Sequence, residues 1–271
     1  MLSWIDGRPA DALSITDRGL AYGDGLFETI AVKAGRPLLI ERHLARLKLG
    51  CDRLKIAADQ ALIRSELLAF AAQLGRGVMK LIVTRGDSLR GYAPAPLARP
   101  RRIIQGYPPS PYPAAHADQG VSLFACVTRL SEQPLLAGLK HLNRLEQVLA
   151  RSEWHDSAFA EGLMYDTSGR LIEGVYSNLF LIADDVLVTA DLSRCGVAGV
   201  MRAELLAQAQ TLGIVTEVRD IGIHDLEQAD EVFVCNSVYG VWPVREFAQL
   251  NWPVGPLTRK LQGIARALLD V

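Results

Sequence analysis

The sequence predicts an α/β (α+β) fold in two domains. In the first part of the chain, β-like runs at 2–5, 27–33, 78–84 and 101–107 alternate with two segments of helical apolar spacing, 41–54 and roughly 59–74. The proline-dense stretch Tyr107-Pro108-Pro109-Ser110-Pro111-Tyr112-Pro113-Ala114-Ala115 can continue neither a sheet nor a helix and marks a boundary. Beyond it, short apolar runs between glycine and asparagine breaks describe a second lobe that is mostly sheet. These observations give a small N-terminal α/β domain at 1–107, a connector at 108–120 and a larger C-terminal domain at 121–271 that carries Lys140.

The strands at 2–5 and 27–33 flank a turn-rich passage containing Asp17-Arg18-Gly19 and Tyr22-Gly23-Asp24-Gly25. Gly23-x-Gly25 is not a dinucleotide loop, because Glu28 replaces the third glycine and a β-like run follows in place of a helix. The passage is either a plain structural turn or a loop lining a cleft, with Tyr22 and Glu28 as wall residues. In 41–54, Leu44, Leu47, Cys51 and Leu54 form the apolar stripe, and Arg46 lies beside its buried edge. An arginine there needs an anion, a carboxylate or a phosphate, unless it sits in a surface ion pair. The loop Arg85-Gly86-Asp87-Ser88-Leu89-Arg90-Gly91-Tyr92 offers two arginines to an acidic ligand. In the second lobe, strands are expected at 121–127, 161–165, 178–182, 186–189, 214–218 and 231–235, and helices at about 143–154, 199–211 and 257–269.

A formal net charge of -1 and a near-neutral isoelectric point give no electrostatic case for nucleic acid or an anionic membrane surface. No apolar run approaches the roughly 20 residues that span a bilayer, and the first residues lack a signal peptide's basic and apolar regions, so a cytoplasmic protein is expected. Cys51, Cys126, Cys195 and Cys235 form no Cys-x-x-Cys pair, and the five histidines show no ligand spacing. Buried thiols and no metal are the expectation.

Lysine is scarce: Lys33, Lys48, Lys55, Lys80, Lys140 and Lys260 are the whole set. Lys140 follows a loop containing Pro134 and Gly138, and Leu142, Leu145, Val148 and Leu149 after it repeat at helical spacing, which predicts a helix with one buried face. A lysine can lose its proton when desolvated and attack a carbonyl, whereas an arginine stays charged. Lys140 is therefore either a nucleophile or a solvated lysine beside a helix. Three further segments bear on that choice. Gly196-Val197-Ala198-Gly199-Val200-Met201-Arg202 opens a helix whose first amides, those of Val200 and Met201, suit a phosphate. The turn Cys235-Asn236-Ser237 offers a hydroxyl and further amides, and Glu173 is a carboxylate among apolar residues that needs a partner, an arginine or a protonated pyridine nitrogen.

Together these segments resemble the fold-type IV pyridoxal-phosphate enzymes, the class containing branched-chain and D-amino acid aminotransferases and aminodeoxychorismate lyase. Asp17-Arg18-Gly19, Tyr22-Gly23-Asp24-Gly25, His43-Leu44-x-Arg46-Leu47, Glu173 with Asn178-Leu179-Phe180, and Gly199-Val200-Met201-Arg202 carry the similarity, which spans nearly the whole chain. The run Ala137-Gly138-Leu139-Lys140-His141-Leu142-Asn143-Arg144-Leu145-Glu146-Gln147-Val148 is similar to the lyase branch. One departure stands out: two glycines of the family's Arg-Gly-x-Gly-Gly-Arg-Gly-Tyr loop are Ser88 and Leu89 here, which stiffens the segment that carries Arg90 and Tyr92.

The resemblance implies a two-domain, D-amino acid aminotransferase-like fold and a homodimer with its cleft between the domains near the subunit interface. It implies that Lys140 carries pyridoxal 5'-phosphate, with Arg46 and the amides of Val200, Met201 and Ser237 on the phosphate and Glu173 on the ring nitrogen. Asn143 and Asn236 are further cofactor candidates, and Tyr22, Glu28, Arg90 and Tyr92 are substrate candidates. The implied reaction is conversion of 4-amino-4-deoxychorismate to 4-aminobenzoate and pyruvate. Alternatives are amino-group transfer from D- or branched-chain amino acids on the same fold, and non-catalytic binding of a phosphorylated metabolite.

Overall fold

The computed structural model describes residues 2–95 and 98–270; Met1, Pro96, Leu97 and Val271 lie outside the described residues. The chain divides into two compact units. The first comprises Met1–Ser110 together with Leu139–Asn143, and the second Pro111–Gly138 together with Arg144–Asp270.

The first unit runs β1 (Ser3–Ile5), β2 (Arg8–Pro9), α1 (Arg18–Tyr22), β3 (Gly25–Lys33), β4 (Arg36–Pro37), α2 (Ile40–Leu54), α3 (Gln60–Leu74), β5 (Gly77–Thr84) and β6 (Arg101–Tyr107). Its strands form one antiparallel sheet in the order β2-β1-β6-β5-β3-β4. Period-two alternation along β3 turns Leu26, Glu28, Ile30 and Val32 inward and Phe27 and Thr29 to the other face. Leu47 and Cys51 of α2 and Ile63, Leu67 and Phe70 of α3 close the core over Met79, Leu81 and Ile104. Asp59 starts α3 by accepting the Leu62 amide at 3.0 Å.

Leu139 is fully buried in that same core. The next residues complete the β3 edge. β4 pairs with the end of β3 at Val32 and Lys33, while at its start the Phe27 amide donates to the Lys140 carbonyl at 2.9 Å and the Leu142 amide to the Gly25 carbonyl at 3.0 Å. The segment expected in the C-terminal domain thus belongs, at Lys140 itself, to the first unit, because burial of Leu139 and ladder bonds to β3 outweigh chain order.

The second unit runs α4 (Ala114–Asp118), β7 (Val121–Leu130), α5 (Leu145–Arg151), β8 (Phe159–Asp166), β9 (Leu171–Gly174), β10 (Asn178–Ala183), β11 (Val186–Ala190), α6 (Val200–Thr211), β12 (Thr216–Arg219), α7 (Ile223–Glu227), β13 (Glu231–Asn236), β14 (Gly240–Phe247), β15 (Leu250–Asn251) and α8 (Pro256–Asp270). The sheet order is β12-β11-β10-β13-β14-β7-β8-β9, with β15 on β14. β9 also pairs with β10, so β10, β13, β14, β7, β8 and β9 close a ring. The core of this unit includes Leu123, Leu163, Leu179, Val234 and Trp242.

One sequence expectation changes here, and one strand, β14, was not among those expected. β14 admits Pro243 because the parallel ladder with β7 begins one residue later, at Val244 opposite Val121. The helix expected at 143–154 is only Leu145–Arg151, and its apolar stripe is not buried: Leu145 is 75%, Val148 57% and Leu149 59% exposed, with Ala150 alone inside. No helix among the described residues is long and apolar enough to cross a membrane. All four cysteines are buried and unpaired.

Candidate active site

In the first unit the half-buried Lys140 extends over the ring of Phe27, with Nζ 4.4 Å from the centroid. Lys80 approaches the same ring at 5.1 Å. An ammonium over an aromatic face is held by the ring's quadrupole, so Phe27 fixes where the amine sits. This is neither a solvated surface lysine nor one sealed in a core. Asn143 donates to the Gly23 carbonyl at 3.2 Å, and a Cβ on Gly23 would come within 2.4 Å of its Oδ1, so this side chain is packed against the Gly23 turn.

The anion that Arg46 requires is Glu28. Nε donates to Oε1 at 2.8 Å and Nη2 to Oε2 at 2.5 Å, while His43 Nδ1 meets Oε2 at 2.6 Å. Glu28 is 1% exposed, so it does not line a surface as a substrate wall; the β3 alternation turns it toward α2. Burial works to raise its pKa, but the Arg46 charge and the hydrogen bonds from Arg46 and His43 outweigh it and hold the carboxyl at about 2. Burial lowers the pKa of His43 despite the raising effect of Glu28, so the imidazole is neutral and Nδ1 carries the proton given to the carboxylate.

The passage 17–25 is tied to the loop after β5 by buried charge. Arg18 donates to Asp24 at 2.8 Å, to the Gly91 carbonyl at 2.9 Å and to the Tyr92 carbonyl at 2.8 Å, and Arg85 donates to Asp24 at 2.7 Å. Tyr22 accepts from the Gly91 amide at 3.1 Å and lies 5.5 Å from the Tyr92 ring. Arg90 and Tyr92 are exposed. Arg18 thus restrains the loop that two missing glycines were expected to stiffen.

In the second unit Glu173 is buried on β9, directly opposite Asn178 of β10. Its Oε2 accepts the Val197 amide at 2.8 Å and lies 3.4 Å from Asn178 Nδ2, which also donates to the Val197 carbonyl at 2.9 Å. The loop 196–198 is further bound to Gly138 through Gly138 N–H to Gly196 O at 2.9 Å and Ala198 N–H to Gly138 O at 3.0 Å. Gly199 stands at the N-cap of α6, and a Cβ there would lie 1.8 Å from Asn178 Oδ1. Having no side chain, Gly199 brings no capping oxygen to the amides of Val200 and Met201. Asn236 accepts the amides of Val238 at 2.9 Å and Tyr239 at 3.0 Å, so its carboxamide oxygen closes its own turn; Ser237 is half-buried beside it.

These groups suit pyridoxal 5'-phosphate part by part. Taken unit by unit, the first holds an amine that an aldehyde could take, at Lys140, and a cation at Arg46, and the second holds a buried carboxylate at Glu173 and, at the start of α6, amides without a capping side chain. The sequence reading assigned no role to Phe27, His43 or Asn178. His43 and Asn178 lie inside motifs of the family resemblance, and Asn178 shows a usable signal, a polar residue opening an apolar run. Phe27 shows none, because which aromatic a lysine rests on depends on tertiary contact.

The sequence profile of the amino-transferase class IV family matches residues 25–247. Aminodeoxychorismate lyase of Vibrio harveyi is 36% identical over 265 residues, covering 96% of this chain and 98% of that protein. The crystal structure of 4-amino-4-deoxychorismate lyase from Pseudomonas aeruginosa superposes with a TM-score of 0.98 at 64% identity, covering 100% of both chains. A hypothetical aminotransferase from Mycobacterium tuberculosis in PLP-bound form shares the fold at a TM-score of 0.86 and 19% identity, covering 99% of each chain. With a profile match across both units and full-length similarity to the lyases, the chain belongs to the amino-transferase class IV family.

Proposed function

We propose that this protein is a pyridoxal-phosphate-dependent lyase that converts 4-amino-4-deoxychorismate to 4-aminobenzoate and pyruvate, a step towards folate. The observation that carries the reading is the 64% identity over the full length of the Pseudomonas aeruginosa lyase. Lys140 would hold the cofactor aldehyde, Glu173 its ring nitrogen, and Arg46 with the amides of Val200, Met201 and Ser237 its phosphate. When bound, the cofactor supplies an electron sink for the carbanion next to the substrate nitrogen.

Lys140 is the base that takes the proton from the amine-bearing carbon, and it returns that proton to the departing enolpyruvyl methylene. The Phe27 ring keeps Nζ in one place while it does so. Glu28 holds the Arg46 fork rigid, so a phosphate meets a guanidinium already oriented. Loss of the enolpyruvyl ether makes the ring aromatic, which drives the elimination, so the protein's work is to place one carbon–hydrogen bond and exclude competing proton donors.

The protein is further proposed to act in the cytoplasm as a homodimer, a state supported by the exposed apolar stripe Leu145, Val148 and Leu149. Assaying 4-aminobenzoate release from 4-amino-4-deoxychorismate, beside amino-group transfer from D-alanine or L-leucine to 2-oxoglutarate, tests the reading. Release with little transfer is expected; transfer without release makes the protein an aminotransferase.

A further inference from the structure

Glu161, on β8, is a fully buried carboxylate that the reaction above does not use. Its partners are the amides of Val175 at 3.1 Å and Tyr176 at 3.3 Å, the hydroxyl of Ser177 at 2.7 Å and the adjoining Gly162 amide at 2.8 Å. Three of these four donors come from one turn. That turn, closed by the Gly174 amide on the Ser177 carbonyl at 2.8 Å, joins Glu173 to Asn178. A Cβ on Gly174 would lie 2.9 Å from the Glu161 carboxyl carbon, so the carboxylate is packed directly against the turn. Beyond the turn, Glu173 and Asn178 grip Val197 by its amide and its carbonyl, and so fix the entry to α6.

We propose that Glu161 is a positioning residue: its ionised carboxylate gathers the amides of the 174–177 turn and thereby sets the Glu173 carboxylate and the Asn178 amide that hold the loop into α6. The inference rests on the role proposed for Glu173 at the cofactor ring. A carboxylate accepts four donors, whereas a carboxylic acid or a carboxamide would turn a hydrogen against one of them. The charge is not kept for stability. Burial outweighs the four hydrogen bonds and pushes the pKa up to about 7 from 4.5, so the fold loses stability as pH rises through that window and the ion forms. The neighbouring Tyr176 and Tyr239 phenols and the Cys126 thiol are pushed upward by burial and by the Glu161 charge and stay neutral there; Arg151 acts on Tyr176 in the opposite direction. Glu161 is thus the group in this cluster whose charge changes around neutral pH.

Hydrogen exchange of the cofactor-free protein, read by mass spectrometry on peptides covering 174–178 and 196–200, tests this, together with a titration by pyridoxal 5'-phosphate. In Glu161→Gln, exchange in both peptides is expected to rise by about tenfold, with thermal stability at pH 8 equal to or above wild type and cofactor affinity about tenfold weaker. In wild type, after correction for intrinsic rates, the same amides lose protection between pH 8 and pH 6, and the variant shows no such change. Unchanged exchange in the 196–200 peptide overturns the proposal, as does faster exchange throughout the sheet with a lowered melting temperature, which marks a plain structural role. Failure of the wild type to take up pyridoxal phosphate would instead sink the cofactor reading, while exchange without cofactor still decides the role of Glu161.

Discussion

Glu28 and Arg46 meet at two points inside the first unit, Nε on Oε1 and Nη2 on Oε2, with His43 closing the far side of the same carboxylate. A bidentate pair removes the rotamer freedom of the arginine in advance, so an anion that binds Arg46 does not meet that entropy penalty at the moment of binding.

Replacing Glu28 by Gln leaves Arg46 in a buried site without its counter-charge, and an uncompensated buried charge costs about 3–5 kcal/mol. Thermal unfolding at pH 7 should show a large fall. The acid dependence has a definite sign: the folded pKa is depressed from 4.5 to about 2, so the Glu28 contribution is present above 4.5 and is lost as pH falls towards 2. The wild-type advantage over Glu28→Gln should narrow across that window. Parallel urea midpoints from pH 5 to pH 2 would refute the pairing.

Lys140→Ala should abolish both turnover and the visible absorbance that borohydride fixes in the purified wild type. Circular dichroism should be unchanged, because Leu139 and the backbone bonds to β3, not the lysine side chain, hold the segment. A variant that still fixes cofactor would remove Lys140 from its role.

At saturating pyridoxal phosphate, Glu173→Ala is expected still to take up the cofactor, with weaker affinity because the Val197 amide loses its acceptor, and to lower kcat by about a hundredfold or more, through loss of a charge placed where the transition state needs it. Unchanged kcat would dismiss the carboxylate from the electronics of the ring.

At Gly199, alanine would place a methyl 1.8 Å from Asn178 Oδ1. Cofactor affinity should drop and the melting temperature should fall, because Asn178 must leave either Val197 or Glu173. Isothermal titration with inorganic phosphate and pyridoxal phosphate reads the first effect; equal affinities would mean that the start of α6 does not meet the phosphate.

Leu145→Gln with Val148→Gln should raise the dimer dissociation constant by about tenfold or more, while the monomer keeps its secondary structure, since neither side chain is buried in the protomer. Sedimentation at several concentrations distinguishes this from an interface elsewhere.

Parts of the local structure around the candidate site were legible because they depend on local rules. The α2 stripe placed Arg46 at a buried edge and demanded an anion, and the glycines before Val200 marked a helix start suited to phosphate. The identity of that anion was not legible: Glu28 and Arg46 are 18 residues apart, and only the pairing of β3 with α2 brings them together. Glu161 was invisible for the same reason, since its donors lie in a hairpin turn that β8 reaches by sheet register. Periodicity also misplaced burial at Leu145, Val148 and Leu149. An apolar stripe announces that a face is to be covered, and cannot distinguish its own core from a second chain.

Leu139–Asn143 is also a constraint on the order of synthesis. Residues 1–110 leave the ribosome well before it, yet their core keeps an empty slot for Leu139 and the start of β3 keeps an open edge until residue 142 emerges. Without that segment the start of β3 lacks its bonding partner, an edge open to strand pairing with other chains until Lys140 and its neighbours are made. The lysine proposed to hold the cofactor and the segment that borders the start of β3 are delivered by the same five residues.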